Sequence, residues 1–388
     1  MKIIKRTIQE VLLKSAKSYP VVTIIGPRQS GKTTLIRDVF KTKPYFNLED
    51  PEKREIIKAD PRKFFNDCNS TGAVIDEIQR LPELLSYIQV IVDEKKQNGF
   101  FIISGSQQFN LLENITQSLA GRTAILKLMP FSMEEISKYA DMDADSLIMS
   151  GGYPKIHSEK AEKWFYYQNY IETYLERDLR QLIAIKDLST FRIFLKLCAG
   201  RIGQVLNMES LSNDVGVSSN TIRNWLSLLE TSFILFRLQP FFENRGKRLI
   251  KSPKLYFYDT GLACYLLGLE NQEQLERDPI RGSLFENLAL TEFIKSDYNK
   301  GKNPDLYFYR DSNGVEIDIV KNIGRRFQTA EVKSSVTFNK EFLKNTKLFR
   351  EIYNDRIHSQ YLLYNGKDLE IENIKLMNIK NIADLLNK

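Results

Sequence analysis

The stretch VVTIIGPRQSGKTT, residues 21–34, decides the fold of the first part of the chain. Five β-branched residues precede a glycine-rich turn, and a lysine and two threonines then open a run with helical periodicity. Such a turn points backbone N–H groups and the positive end of the helix into one concavity, which holds polyphosphate. The sequence therefore predicts a phosphate-binding loop formed by Gly26, Pro27, Arg28, Gln29, Ser30, Gly31, Lys32, Thr33 and Thr34.

Within this loop, the residue types suggest separate roles. Gly26, Ser30 and Gly31 are expected to form the turn, and Lys32 to neutralise the β and γ phosphates. The Thr33 hydroxyl is expected to ligate Mg²⁺. The predicted cofactors are therefore ATP and Mg²⁺, and the alternative is a glycine turn with an incidental lysine.

Further polar residues follow two other apolar runs. Asp76 and Glu77 come directly after one of them, and we expect Asp76 to hold Mg²⁺ and Glu77 to orient the attacking water. Ser106 follows the next run, where it could sense the γ-phosphate. Arg122 is a candidate charge stabiliser, acting within the chain or from a neighbouring subunit if the protein oligomerises. Its alternative is an ordinary ion-paired surface arginine.

The order of apolar runs predicts the architecture. From residue 21 to 131, strand-like runs alternate with helical periods, which is typical of an α/β fold with a parallel sheet, so we assign residues 1–131 to a P-loop NTPase core. Residues 132–189 are predicted to form a helical lid, and residues 190–270 a winged helix-turn-helix. Residues 281–388 are predicted to form a separate small α/β domain.

Composition narrows the function classes. The 388 residues carry 56 Lys and Arg against 49 Asp and Glu, a formal net charge of +7. This favours an acidic partner such as nucleic acid, although a lysine-rich surface alone gives the same balance. The three cysteines and two histidines have no metal-ligand spacing, so a disulfide framework, a zinc site and histidine-based catalysis are not predicted. No apolar run reaches membrane-spanning length, and the expected location is the cytoplasm, without a membrane partner.

These motifs together resemble a known family. The phosphate loop, Asp76-Glu77-Ile78-Gln79 and Leu119-Ala120-Gly121-Arg122 are similar to the predicted prokaryotic AAA-superfamily ATPases related to archaeal-type ATPases. Gly151-Gly152-Tyr153-Pro154 and Asp259-Thr260-Gly261-Leu262 extend the resemblance over nearly the whole chain. The resemblance implies a C-terminal domain of unknown function that contains a winged helix and a restriction-endonuclease-like fold.

The predicted winged helix has a candidate DNA-binding surface. Residues 211–226 have the spacing of a helix-turn-helix, with Arg223 on the exposed face of the second helix. The segment that would form the wing carries Arg245, Lys247 and Arg248, and such a basic turn can follow a phosphate backbone. The alternative is a winged helix that connects domains or docks protein.

The last domain contains carboxylates in strand spacing. Residues two apart in a strand share a face, and Asp318 lies in one predicted strand while Glu331 and Lys333 lie two apart in the next. Asp318 and Glu331 could bind Mg²⁺ while Lys333 orients water for phosphodiester hydrolysis. The predicted function is an ATPase with a DNA-binding and nucleolytic C-terminal half. The alternative is a nucleotide-dependent scaffold or regulator that binds protein and has no nuclease activity.

Overall fold

The computed structural model describes residues 3–68, 70–106, 115, 117–175, 188–241 and 252–387. The chain divides into two compact units. The first comprises residues 1–131 with the short segments 231–233 and 297–302, and the second comprises residues 132–230, 234–296 and 303–388. No helix in the described ranges is long and apolar enough to cross a membrane.

The first unit contains a five-stranded sheet. Its strands are β1 Val21–Ile25, β2 Tyr45–Asn47, β3 Ala73–Asp76, β4 Phe101–Gly105 and β5 Thr123–Lys127. They lie in the order β2-β3-β4-β1-β5, and every neighbouring pair is parallel. The predicted α/β fold with a parallel sheet is confirmed for this unit.

Five helices of this unit are described: α1 Gln9–Ser18, α2 Lys32–Val39, α3 Pro51–Ala59, α4 Pro61–Asp67 and α5 Leu84–Lys95. Leu12 of α1 and Ile36 of α2 pack with Val22 and Ile24 of β1 in the core. All five residues of β1 are buried because helices cover parallel sheets on both faces. Each fully buried Leu or Ile contributes about 1.5–3 kcal/mol to folding. This packing fixes the position of the carboxyl end of β1, where the phosphate loop begins.

The second unit begins with helices. Those described are α6 Met133–Ser137, α7 Ala144–Ser150, α8 Pro154–Ser158, α9 Lys163–Tyr170, α10 Leu188–Ala199, α11 Met208–Val215, α12 Ser219–Thr231, α13 Thr260–Leu267, α14 Gln272–Arg277, α15 Arg281–Asn299, α16 Lys344–Tyr353 and α17 Ile382–Leu386. A π-helical turn, Ile171–Leu175, follows α9. The helices α11 and α12 lie where the sequence predicts a helix-turn-helix, and Gly216 ends α11 in the left-handed conformation.

The helices predicted to form a lid belong to this second compact unit. The buried carboxylate of Asp259, at the start of α13, accepts hydrogen bonds from the Gly152 amide (2.7 Å) and the Tyr167 hydroxyl (2.6 Å). A Cβ atom at Gly261 would lie 2.3 Å from that hydroxyl oxygen, so α13 approaches α9 at a distance that only glycine permits. The segment from α7 to α9 is therefore integrated with α13 through buried polar contacts.

An eight-stranded sheet completes the second unit. Its strands are β6 Leu235–Pro240, β7 Lys254–Phe257, β8 Leu306–Arg310, β9 Glu316–Ile323, β10 Arg326–Lys333, β11 Ile357–Tyr364, β12 Leu369–Ile371 and β13 Ile374–Asn378. They lie in the order β12-β13-β11-β10-β9-β8-β6-β7. Tyr309, Ile317 and Phe327 from this sheet pack with Phe349 and Tyr353 of α16.

The predicted division between residues 190–270 and residues 281–388 runs through this sheet. Strand β6 pairs in parallel with β8, with Gln239 opposite Tyr307 and Pro240 opposite Phe308. The Phe241 amide continues the pairing by donating to the Phe308 carbonyl at 2.7 Å. The sequence did not reveal this connection because strands distant in the chain leave no local pattern of their pairing. The β6–β7 hairpin and the strands from β8 onward therefore form one structural body.

Candidate functional site

The phosphate loop leaves the carboxyl end of β1 in a shape that requires glycine. Gly26 has φ of +154°, and a Cβ atom there would lie 2.1 Å from the Leu128 carbonyl oxygen. Gly31 has φ of +92° and precedes the first residue of α2. Only glycine reaches these backbone conformations without steric cost. The loop then delivers Lys32 and Thr33 to the first turn of α2, where the helix end favours bound anions.

Lys32 is buried and folded back on the loop. Its ammonium donates to the Gly26 carbonyl at 3.0 Å and to the Pro27 carbonyl at 2.8 Å. Burial lowers the pKa of Lys32 to about 8, although the carboxylates of Glu77 and Asp76 partly offset this effect. An arriving phosphate would therefore meet a desolvated cation whose other partners are neutral carbonyl oxygens.

Asp76 is the last residue of β3, and three hydroxyl groups hold its carboxylate. Its Oδ2 accepts from Thr33 Oγ1 at 2.6 Å and from the Tyr45 hydroxyl at 2.7 Å, while Oδ1 accepts from the Ser104 hydroxyl. Sequence analysis paired Thr33 with Asp76, and the structure brings them into contact. It missed Tyr45 and Ser104, whose positions depend on β2 and β4 lying on either side of β3. Burial and the bond to Asp76 raise the pKa of Tyr45.

Glu77 follows in a left-handed backbone conformation, with φ of +57°. This conformation is uncommon for a residue other than glycine and occurs preferentially at functional sites. Its carboxylate accepts from the Ser106 hydroxyl at 3.1 Å and from the Gln79 side-chain amide. Glu77 and Ser106, both predicted from the sequence, therefore lie together, joined by Gln79, at the carboxyl edge that also carries Asp76.

Arg122 does not lie at this edge. It immediately precedes β5, whose first residue, Thr123, pairs with Val21 at the beginning of β1. The phosphate loop follows the other end of β1, about 15 Å away for a five-residue strand. The Arg122 guanidinium instead pairs with Asp93 through two contacts of 2.6 and 2.8 Å. The structure thus does not bring Arg122 to its own chain's phosphate loop, and a role in a neighbouring subunit stays a prediction.

The N-terminal segment contributes a residue that sequence analysis did not single out. The buried guanidinium of Arg6 donates to the Ser30 carbonyl at 2.8 Å and to the Met129 carbonyl at 2.6 Å. It also lies over the Phe131 ring, 4.8 Å from the ring centroid. Arg6 therefore fixes the backbone of the phosphate loop to the chain that follows β5. Its only sequence signal was a basic residue two positions from each of two isoleucines, Ile4 and Ile8.

In the second unit, Asp318, Glu331 and Lys333 come together as predicted from their spacing. The Lys333 ammonium lies 3.1 Å from Glu331 Oε2 and 3.6 Å from Asp318 Oδ2. Asp318 Oδ2 also accepts from the Val332 amide at 2.8 Å. Oε1 of Glu331 is buried and accepts no hydrogen bond from the described residues. Burial and the neighbouring Asp318 raise the pKa of Glu331, whereas Lys333 and Lys254 outweigh burial and lower the pKa of Asp318.

A second buried ammonium lies in the same cluster. Lys254 of β7 is 2.6 Å from Glu316 Oε1 and 3.3 Å from Glu286 Oε1, and the Tyr256 hydroxyl also donates to Glu286. Burial and repulsion by Asp318 raise the pKa of Glu286 to about 7. Burial opposes the charge of Lys254, but attraction by Glu286 and the other carboxylates outweighs it and raises the lysine pKa. Sequence analysis did not connect this lysine with the carboxylates, because it assigned β7 to another domain.

The remaining site predictions concern metal and DNA. Across the described ranges, no group of three or more His, Cys, Asp or Glu side chains has a geometry that could hold a metal ion. Arg223 is exposed on α12, next to the buried Ile222. Arg245, Lys247 and Arg248 lie outside the described residues.

Comparisons with known proteins agree with the geometry of the first unit. Residues 18–137 match the model of an AAA domain family. Residues 141–273 and 281–382 match two domains of unknown function, DUF8612 and DUF4143. The parallel sheet, the phosphate loop and the family match together define an AAA-type P-loop ATPase domain.

Full-length relatives extend the match beyond this domain. An uncharacterized protein of Mycobacterium tuberculosis is 33% identical over 330 residues, which cover 84% of this chain and 73% of that protein. An uncharacterized protein of Mycobacterium bovis matches with the same values. An uncharacterized protein of Haemophilus influenzae is 23% identical over 72% of this chain and 75% of its own length. The chain belongs to the same family as the two mycobacterial proteins.

Solved structures are more distant. A Walker-type ATPase of Pyrococcus abyssi superposes with a TM-score of 0.46 at 16% identity, covering 68% of this chain and 96% of that chain. AMPPCP-bound DnaA from Aquifex aeolicus has a TM-score of 0.30 at 12% identity, covering 57% of this chain and 85% of that chain. The assignment rests on the family match and the mycobacterial relatives.

Proposed function

We propose that the chain binds ATP with Mg²⁺ at the carboxyl edge of the first sheet and hydrolyses it. The observation that carries this proposal is the 2.6 Å contact between Thr33 Oγ1 and Asp76 Oδ2. A hydroxyl and a carboxylate are hard oxygen ligands of the kind Mg²⁺ takes in phosphoryl-transfer sites. Here they adjoin a phosphate loop with its lysine, so the donor set fits a magnesium ion shared with the nucleotide.

The residues around this pair suit the separate parts of the reaction. Backbone N–H groups of residues 26–34 and the Lys32 ammonium would hold the phosphates. Thr33 and Asp76 would hold Mg²⁺, which neutralises charge that develops on the phosphoryl oxygens. Glu77, oriented by Ser106 and Gln79, would position a water molecule and draw its proton as it attacks the γ-phosphate. Ser106 would report on that phosphate through its contact with Glu77.

The alternative from another class is a nucleotide-dependent scaffold or regulator that binds protein and has no nuclease activity, and ATP binding without hydrolysis is enough for such a protein. Such a protein needs the phosphate loop and the metal ligands but has no need for a positioned carboxylate beyond them. The left-handed backbone at Glu77 and its two side-chain donors favour hydrolysis, because holding an uncommon conformation costs about 1–3 kcal/mol. The two functions can therefore be separated at this residue.

The first prediction separates binding from hydrolysis. Lys32→Ala removes the ammonium that we expect to neutralise the β and γ phosphates, and ATP affinity should fall by roughly 10- to 100-fold. Glu77→Gln keeps the shape but loses the negative charge, so affinity should stay within about twofold while kcat falls by roughly 100-fold. Fluorescence titration and phosphate release measure the two quantities.

The control for these variants is Lys41→Ala, because Lys41 is 73% exposed and pairs only locally, with Asp38 at 3.0 Å. It should behave as wild type in both assays. Undiminished ATP affinity in Lys32→Ala would contradict the binding site. Undiminished turnover in Glu77→Gln would remove the catalytic role of that residue, and negligible turnover by the wild type would favour the scaffold.

The second prediction concerns the hydroxyl groups around Asp76. Tyr45→Phe removes one donor to the carboxylate, so Asp76 is held less firmly for metal binding. Loss of such an outer partner typically weakens metal affinity by about 10- to 100-fold. The Mg²⁺ concentration for half-maximal ATP binding should rise by about tenfold. Tyr19→Phe, at a tyrosine that is 41% exposed, should leave it unchanged. Equal magnesium requirements in the two variants would show that Tyr45 does not position Asp76.

A second candidate function belongs to the other unit. We propose that residues 190–270 act as a winged helix on DNA and that residues 281–388 are a restriction-endonuclease-like domain. The observation that favours phosphodiester chemistry is the buried group of Asp318, Glu331 and Lys333. The buried Glu331 Oε1, without a described hydrogen-bond donor, gives this pair an acceptor that a cation would satisfy. A metal held there would generate the nucleophile for hydrolysis.

The third prediction tests this chemistry in the full chain. With Mn²⁺ and ATP present, the wild type should cleave duplex DNA. Asp318→Asn and Lys333→Ala should lower cleavage by roughly 100-fold, because each removes a group from the reacting centre. ATP turnover without DNA should persist in both. Asp355→Asn, at an exposed carboxylate in the same unit, is the control.

No cleavage by the wild type would contradict nuclease activity. Absence of any salt-dependent DNA binding would further favour the protein-docking alternative for the winged helix, because phosphate contacts always impose a salt dependence.

A further inference from the structure

The carboxylate cluster of the second unit consists of Glu286, Glu316, Asp318 and Glu331. It contains two lysines that differ in how far they are exposed to solvent. Lys254 is 3% exposed, and its ammonium lies between Glu286 and Glu316, 5.3 Å from the centroid of the Phe308 ring. Lys333 is 35% exposed and lies between Asp318 and Glu331. The first lysine is enclosed on a strand of the β6–β7 hairpin, whereas the second can swing outward on the last residue of β10.

The carboxylate oxygens near Lys254 and those near Lys333 also differ in how many hydrogen-bond donors they have. On the Lys254 side, Glu286 Oε1 accepts from both the Lys254 ammonium and the Tyr256 hydroxyl. Glu316 has two cations, since Arg310 Nε lies 3.4 Å from its other oxygen. On the Lys333 side, Oε1 of the buried Glu331 receives no hydrogen bond from described residues. The Glu286 and Glu316 oxygens nearest Lys254 thus have donors, whereas Oε1 of Glu331, beside Lys333, has none among the described residues.

We propose that Lys254 is a fixed cation that takes the place of a second divalent ion, so that the carboxylate cluster accepts one metal ion only, at Asp318 and Glu331. This inference rests on the proposed metal site and adds the number of ions and the residue that limits it. Lys333 yields its position to the metal, while Lys254 stays and keeps Glu286 and Glu316 compensated. Two-metal phosphodiesterases hold their second ion with further carboxylates beside the first. Here the carboxylates available to a second ion are Glu286 and Glu316, and the Lys254 ammonium already lies 3.3 Å and 2.6 Å from their oxygens.

Removal of the fixed charge has a defined consequence. Without the ammonium, Glu286 keeps the Tyr256 hydroxyl and Glu316 keeps Arg310, but the two partly buried carboxylates lose the cation that lies between them. Loss of this charge is unfavourable because buried carboxylates need compensation. A divalent ion is the most effective replacement, because oxygen ligands of this kind are those that Mg²⁺ and Mn²⁺ take. Replacement of Lys254 by a neutral residue should therefore create a second metal position.

The experiment counts metal ions in the nucleotide-free full chain. Bound Mn²⁺ per chain is measured from the loss of the electron paramagnetic resonance signal of free Mn²⁺. The wild type is compared with Lys254→Met, Lys254→Gln, Lys254→Arg and Asp318→Asn. Any ion bound at the phosphate loop is common to all of them and cancels in the comparison. Lys254→Gln serves if Lys254→Met does not fold, and thermal unfolding monitors each variant.

We expect Lys254→Met and Lys254→Gln to bind one more Mn²⁺ than the wild type, whereas Lys254→Arg, which keeps the cation, gains none. Asp318→Asn should bind one fewer. An unchanged count in both neutral variants would overturn the role of Lys254, as would an equal gain in Lys254→Arg. If the neutral variants gain an ion but Asp318→Asn loses none, the inference about Lys254 stands and the proposed site at Asp318 fails. No binding difference in any variant overturns both.

Discussion

Both candidate sites depend on the same physical constraint, which is that a carboxylate buried by folding must be compensated. The cost of an uncompensated buried charge is large, so each site must supply hydrogen bonds or opposite charge. Around Asp76, three neutral hydroxyl groups supply hydrogen bonds, and the negative charge stays available to an arriving cation. Around Glu286 and Glu316, lysine and arginine side chains supply the charge themselves. Compensation by neutral hydroxyl groups suits the proposed metal binding at Asp76. Compensation by basic side chains suits the proposed restriction of metal binding at Glu286 and Glu316.

The β6–β7 hairpin connects parts of the second unit that are distant in sequence. Its strand β6 hydrogen-bonds to β8, and its strand β7 delivers Lys254 and Tyr256 to carboxylates on α15 and β9. A fragment that begins at α15 would lack a strand neighbour of β8 and the buried cation of the cluster. The carboxylate chemistry of this unit has therefore to be studied in the full chain.

Sequence analysis predicted the features that follow from local motifs and missed those that depend on which strands pair with each other. The phosphate loop, Asp76 and Glu77 follow apolar runs directly, so their place at the carboxyl edge of a parallel sheet could be predicted. The contacts of Tyr45 and Ser104 with Asp76 could not be predicted, because they depend on the strand order β2-β3-β4. Arg122 was a candidate for the site of its own chain or of a neighbouring subunit, and in its own chain it precedes β5 and lies at the opposite edge of the sheet. The contact of Lys254 with the carboxylates could not be predicted, because the pairing of β6 with β8 joins segments that are more than sixty residues apart in the chain.

The central claim is that Thr33 and Asp76 hold the magnesium ion of a bound nucleotide beside Glu77. A crystal structure of the full chain grown with Mg²⁺ and a non-hydrolysable ATP analogue tests it most directly. The account predicts the phosphates within the loop of residues 26–34, with the metal about 2.1 Å from Thr33 Oγ1 and bound to Asp76 directly or through one water. The γ-phosphate should face Glu77. Phosphates bound away from this loop, or a metal held by groups other than Thr33 and Asp76, would contradict the account.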